Sequence, residues 1–140
     1  MVWLSRAFLD NEIRQESSMQ AILLAAHGSR RAASNDEVRA LTTHIAELLG
    51  ESVPLVDAAF LELAKPSIAE GLESLIQRGA TEIQIFPYFL AAGRHVVQDI
   101  PAEMAPIIAK YPQVTLRVAT HLGANAALPQ LIASALQSAP

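Results

Sequence analysis

Two kinds of apolar run alternate along this chain: short unbroken stretches, and longer stretches in which apolar residues recur every three or four positions. Ala21-Ile22-Leu23-Leu24-Ala25-Ala26 has no polar member, the pattern of a strand covered on both faces. It ends at His27-Gly28. Val38, Leu41, Ile45, Leu48 and Leu49 then repeat at helical spacing until Gly50. Ser34 with Glu37 three residues later reads as a capping box opening that helix. Val53 to Leu61 is a second extended run, and Pro54 and Asp57 within it suit an edge strand better than a central one. Pro66 opens a second helix with the apolar face Ile68, Leu72, Leu75 and Ile76, closed by Gly79.

The alternation continues to the C-terminus. Glu82 to Phe86 predicts a third strand, running on into Pro87-Tyr88-Phe89-Leu90 and the turn residue Gly93. Ile100, Met104, Ile107 and Ile108 mark a third helix in which Pro101 starts a fresh segment and Pro106 is expected to introduce a kink. Val114, Leu116 and Val118 alternate with polar or small residues as a half-exposed strand does. Leu128, Leu131, Ile132 and Leu136 supply a last helical face. Four strand–helix units in succession predict an α/β fold, a four-stranded parallel sheet with helices on both faces and right-handed crossovers. Placing the two most apolar strands at the centre gives the order 2-1-3-4. Its direction reverses between strands one and three, where open parallel sheets bind ligands beyond the strands' C-terminal ends.

Residues 1–18 precede this pattern without a sustained period of their own. They read as an N-terminal extension, poorly ordered, with the working domain at 19–140. Arg6, Asp10, Glu12, Arg14 and Glu16 interrupt any secretory apolar segment, and no run approaches a membrane span, so a soluble, cytoplasmic protein is expected. One hundred and forty residues with 51% hydrophobic and 17% charged fit one globular domain. The absence of Cys removes thiolate metal sites, iron–sulfur ligation and cysteine nucleophiles, leaving four His as the soft ligands. A net charge of -4 with 5% aromatics argues against nucleic acid or an anionic membrane as partner.

The topology brings candidate chemistry to one rim. His27 follows strand one, Glu62 follows strand two, and Arg94-His95 follow strand three. Imidazole and carboxylate suit divalent iron, cobalt, nickel and zinc, and an incomplete ligand set leaves positions open for exchange, so such a site handles a metal rather than storing it. Arg30, Arg31, Lys65 and Arg94 add positive charge near helix N-termini. Phe60, Leu61, Tyr88, Phe89 and Leu90 offer apolar surface for a flat ligand. Together these describe a large, planar, polycarboxylate ligand that meets a metal.

Three segments carry a resemblance: His27-Gly28-Ser29-Arg30; Phe60-Leu61-Glu62 with Pro66; and Pro87-Tyr88-Phe89-Leu90-x-x-Gly93-x-His95 through Asp99-Ile100-Pro101. They resemble the signature of the sirohydrochlorin chelatases, specifically the small single-domain CbiX-type class II enzymes, over residues 19–140. The resemblance implies ATP-independent insertion of divalent cobalt, iron or nickel into sirohydrochlorin, with the metal a substrate and no permanently bound cofactor. It also implies a homodimer. His27 and His95 become the pair that meets the metal and assists loss of the pyrrole protons, with Glu62 as third participant. Arg30 and Arg94 are then candidates for the substrate's carboxylates, and Tyr88, Phe89 and Leu90 for its ring face. Which imidazole ligates and which accepts a proton stays open.

Plainer roles stand beside these. Glu62 on a helix N-terminus, Asp99 as a turn or cap before Pro101, His44 as a solvated helical residue and His121 as a loop residue are ordinary structural uses. Two other functions use the same residues. A metal or tetrapyrrole carrier would bind and hand over without turnover, and histidine-based phosphoryl transfer would place a phosphate between His27 and the arginines. The order His-Gly-Ser-Arg and the lack of a glycine-rich phosphate loop weigh against the last.

Overall fold

A computed structural model describes residues 18–91, 93–94 and 98–138. Its strands are β1 (Gln20–Ala26), β2 (Leu55–Phe60), β3 (Glu82–Pro87) and β4 (Thr115–Val118), and its helices α1 (Ala32–Leu49), α2 (Ile68–Gln77), α3 (Ile100–Lys110) and α4 (Leu128–Ser138). All strand pairs are parallel and the sheet order is β2-β1-β3-β4, as the polarity of the runs predicts. Among the described residues no helix is long and apolar enough to cross a membrane.

Side chains alternate across a strand, so each half of β1 and β3 faces a different layer. Ala21, Leu23 and Ala25 of β1 with Ile83 and Ile85 of β3 meet Ile68, Leu72 and Leu75 of α2 and Ile100, Met104 and Ile107 of α3 in one buried cluster. The intervening residues Ile22, Leu24, Gln84 and Phe86 face the other way. With Leu41, Ile45 and Leu49 of α1 and Leu131 of α4 they line an open apolar groove of about 710 Å³. The sheet therefore has one filled face and one partly filled face.

Several expectations change. The Ser34–Glu37 capping box does not form: α1 begins earlier, at Ala32, with Arg31 at its cap and no side-chain capping bond. Ser34 therefore lies inside the first turn, next to Asn35, whose side chain binds Ser29 of the preceding loop. A complete capping box is found instead on α2. Ser67 Oγ accepts the Glu70 N–H and the Glu70 carboxylate accepts the Ser67 N–H, both at 3.1 Å. Pro66 thus precedes the cap rather than opening the helix. The second strand is shorter than Val53–Leu61, because a 3-10 turn at Gly50–Ser52 takes up the approach and Phe60 turns to bond Pro66. α3 continues through Pro106 to Lys110 without ending there. The extension at 1–17 lies outside the described residues.

Candidate metal centre

β1 and β2 remain paired beyond their ends, and this extension builds the site. The Leu61 N–H donates to the Ala26 carbonyl at 2.9 Å and the Glu62 N–H to the His27 carbonyl at 3.1 Å, so the two loops leave the sheet side by side. Gly28 makes this approach possible. Its φ is +94°, and a Cβ there would overlap the Glu62 carbonyl oxygen and lie 3.0 Å from the carbonyl carbon, both backbone atoms that no rotamer change moves. His27 and Glu62 are thereby brought together at the C-terminal rim, with His27 Nε2 3.2 Å from Glu62 Oε1.

The chemistry of that contact depends on the imidazole proton. His27 Nδ1 lies 3.1 Å from the Gly28 carbonyl oxygen, which can only accept. A proton on Nδ1 satisfies that bond and leaves the neutral ring's Nε2 lone pair facing a carboxylate oxygen. Two acceptors then face each other, an arrangement that a metal ion placed between them satisfies. Two N or O ligands at ordinary bond lengths on one dication stand about 2.8–3.5 Å apart for right-angle to tetrahedral arrangements. The observed 3.2 Å falls within that range.

Around this pair the loops are tied by residues that the sequence reading passed over. Asn35, only 7% exposed, accepts from the Ser29 N–H at 3.0 Å and donates to the Ser29 carbonyl at 2.8 Å, stapling the turn after His27 to α1. Its signal was a polar residue at a helical position that faces inward. Arg39 of α1 donates to the Lys65 carbonyl at 3.0 Å and stacks over the Phe60 ring, 5.1 Å from its centroid, so α1 also holds the loop carrying Glu62.

The other candidates are distributed as follows. Asp99 lines a small cleft of about 250 Å³ with Leu61, Glu62, Ala102 and Glu103, which puts a further carboxylate beside Glu62. Arg30 and Arg94 are exposed on their loops. Lys65 is drawn to Glu70 at 2.9 Å. Leu90 is 71% exposed, Tyr88 borders the apolar groove, and Phe89 packs partly buried against the core. Phe60 is fully buried and so belongs to the core rather than to a ligand surface. His44 pairs with Glu47 on the exposed side of α1, a structural use. His121 caps the 3-10 turn Leu122–Ala124 beyond β4. His95 lies outside the described residues. Among the described residues no three His, Asp or Glu side chains converge as a complete metal site.

A parallel sheet ordered 2-1-3-4, with imidazole and carboxylate paired at its exposed C-terminal rim, defines an α/β domain with a candidate site on that rim. The chain matches the family model described as CbiX over residues 21–139, and it belongs to that family. It is 36% identical over 107 residues to the sirohydrochlorin ferrochelatase of Priestia megaterium, covering 76% of this chain and 40% of that protein. It is also 36% identical over 86 residues to the sirohydrochlorin cobaltochelatase of Sulfolobus acidocaldarius, covering 61% and 67% respectively. Among solved structures, a CbiX protein from Marinobacter aquaeolei VT8 superposes with a TM-score of 0.67 at 32% identity, over 84% of this chain and 94% of that one. The sirohydrochlorin chelatase SirB from Bacillus subtilis subspecies spizizenii, in complex with cobalt, does so at 0.73 and 28% identity, over 85% and 50%. The chain thus spans less than half the length of the Priestia ferrochelatase and half that of SirB.

Proposed function

We propose that this protein inserts a divalent metal into sirohydrochlorin, with the ion and the tetrapyrrole both as substrates. The observation that carries the reading is the His27–Glu62 pair, 3.2 Å apart and open to solvent at the sheet rim. Metal insertion replaces two pyrrole protons by one dication, so a site for it needs a ligand that releases the ion and a group that accepts protons. In this reading His27 Nε2 and Glu62 Oε1 form one edge of the ion's coordination, with the other positions left to water and the ring nitrogens. The proton-acceptor role then falls to His95. Arg30 and Arg94 meet the carboxylates of the macrocycle, and Leu90 and Tyr88 lie along its ring, with Phe89 behind them.

Support for the metal comes from relatives named for iron and for cobalt, and from SirB solved with cobalt. Nickel and a cytoplasmic setting belong to the same proposal. So does a homodimer of the 19–140 unit. Relatives about twice as long match this chain with half their length, and a second copy would supply the other wall of the cleft around a macrocycle.

The test is to follow the visible spectrum of sirohydrochlorin with Co2+, Fe2+ or Ni2+ over many equivalents of substrate. An enzyme continues past one metallated ring per site, whereas a carrier stops there. His27→Ala is expected to lower the rate by about 100-fold or more and Glu62→Gln by about 10- to 100-fold, with unchanged circular dichroism. Wild-type rates in both variants would overturn the assignment.

A further inference from the structure

We infer that Gly123 is a positioning residue for the site, holding in place the loop that leaves β3 and carries Leu90 and Arg94. The inference rests on the chelatase reading for its activity readout. The 3-10 turn Leu122–Ala124 follows β4 and lies directly on the backbone of that loop. The Gly123 N–H donates to the Phe89 carbonyl at 2.9 Å. A Cβ on Gly123 would overlap the Leu90 carbonyl group and come within 2.8 Å of Leu90 Cα. Every atom it meets is backbone, so no side-chain rotation relieves the overlap and the loop itself must move.

Gly123 is not among the glycines with positive φ, so its requirement is space rather than an unusual backbone angle. Past this point the described residues of the loop are mostly exposed. Phe89 packs against the core, but Leu90 is 71% exposed and Gly93 and Arg94 are exposed as well. The contact at Gly123 therefore fixes the loop backbone at Phe89 and Leu90. The other half of the rim uses the same device, since Gly28 admits the backbone of Glu62. The two outer pairs of rim loops are each closed by a glycine laid against the next loop's backbone: Gly28 joins the β1 and β2 loops, and Gly123 joins the β3 and β4 loops.

The experiment compares wild type, Gly123→Ala and Gly50→Ala. Gly50 caps α1, and a Cβ there meets nothing within 4 Å among the described atoms, while its φ of +60° with ψ of −142° is a conformation that strains alanine. It thus controls for lost stability without a shifted loop. Steady-state cobalt insertion into sirohydrochlorin is measured together with backbone amide shifts in a 1H–15N spectrum.

Gly123→Ala is expected to lower kcat by about 10- to 100-fold with KM for the tetrapyrrole changed much less, because misplacing substrate-positioning groups by about 1 Å has that order of effect. Amide shifts at 89–94 should move while those of Gly28 and Glu62 stay. Gly50→Ala should lower the melting temperature but keep kcat. A second variant, with two glycines inserted between Thr120 and His121, detaches the turn without adding an atom to the contact and should show the same kcat loss. It also serves as the test if Gly123→Ala does not fold. Unchanged amides at 89–94, or wild-type kcat in both variants, would overturn the inference. A wild type that never exceeds one turnover would overturn the chelatase reading instead, and the amide shifts would still decide whether Gly123 positions the loop.

Discussion

The two faces of the sheet are made from the same strands, yet they are finished differently. On one, six apolar side chains from α2 and α3 close over β1 and β3, and Leu23, Ile68, Leu72, Leu75, Ile85 and Ile100 have no exposed surface at all. On the other, α1 buries only Asn35 and Thr42 among the described residues, α4 buries none, and an apolar groove runs between them. The difference separates two jobs. The filled face provides most of the burial that holds the fold, while α1 on the open face holds the loops that carry His27 and Glu62 through Asn35 and Arg39.

The comparison is broken most severely on the filled face. Leu72→Ala removes a fully buried side chain from the junction of α2 and the sheet and is expected to cost about 2–5 kcal/mol in chemical denaturation. Asn35→Ala comes next and should cost about 1–3 kcal/mol, since the Ser29 N–H and carbonyl both lose their partner. Its second effect sharpens the division of labour. Metal insertion should fall more in Asn35→Ala than in Leu72→Ala when both are assayed well below their melting temperatures. Equal activity losses would show that the open face has no special hold on the site.

The starts of α1 and α2 repeat the contrast on a smaller scale, because only α2 has a side-chain cap. The Glu70 carboxyl is held down to about 2, chiefly by the Lys65 ammonium that it accepts a hydrogen bond from, and then by the Ser67 N–H and hydroxyl. A carboxyl whose folded pKa lies below its unfolded value stabilises the fold above the unfolded value. That contribution is fully present above pH 4.5 and is lost as pH falls from 4.5 toward 2. The Glu70→Gln variant should therefore be less stable than wild type at neutral pH, with the gap in urea midpoint closing across that interval. The gap should also shrink in high salt, because Glu70 and Lys65 are largely exposed. A gap that persists at pH 2 would show that the cap acts through packing rather than charge.

The order of the sheet was legible because the two more apolar strands belong at the centre and Pro54, Asp57, Thr115 and Arg117 mark the edges. His27 and Glu62 were legible as rim residues for the same reason: each directly follows a strand whose neighbour is fixed by that order. Their 3.2 Å contact was not, since it depends on backbone pairing past the strand ends and on Gly28 leaving room for Glu62. The Ser34–Glu37 motif was misleading because a capping box is a local pattern, and the helix starts upstream of it, at Ala32, with Asn35 in its first turn bound to Ser29. Phe60 was misplaced because a strand-end aromatic looks the same in sequence whether it faces the rim or turns under Arg39 into the core.

The smallest expected effect tests the least finished element. Leu128, Leu131, Ile132 and Leu136 have the spacing of a buried helical face, indistinguishable in sequence from that of α2. Yet Leu131 is 64%, Ile132 51% and Leu136 72% exposed. Hydrophobic period reports which side of a helix is apolar; burial depends on what stands opposite. Leu131→Ala measured in dilute protein should change stability by no more than about 0.5 kcal/mol, the scale of a surface substitution. Raising the protein concentration separates a lone chain from an assembled one: a penalty that grows with concentration means that a second copy covers α4. A loss of about 2 kcal/mol or more at high dilution would instead mean that α4 closes over the groove of its own chain, and the two faces of the sheet would then be equally filled.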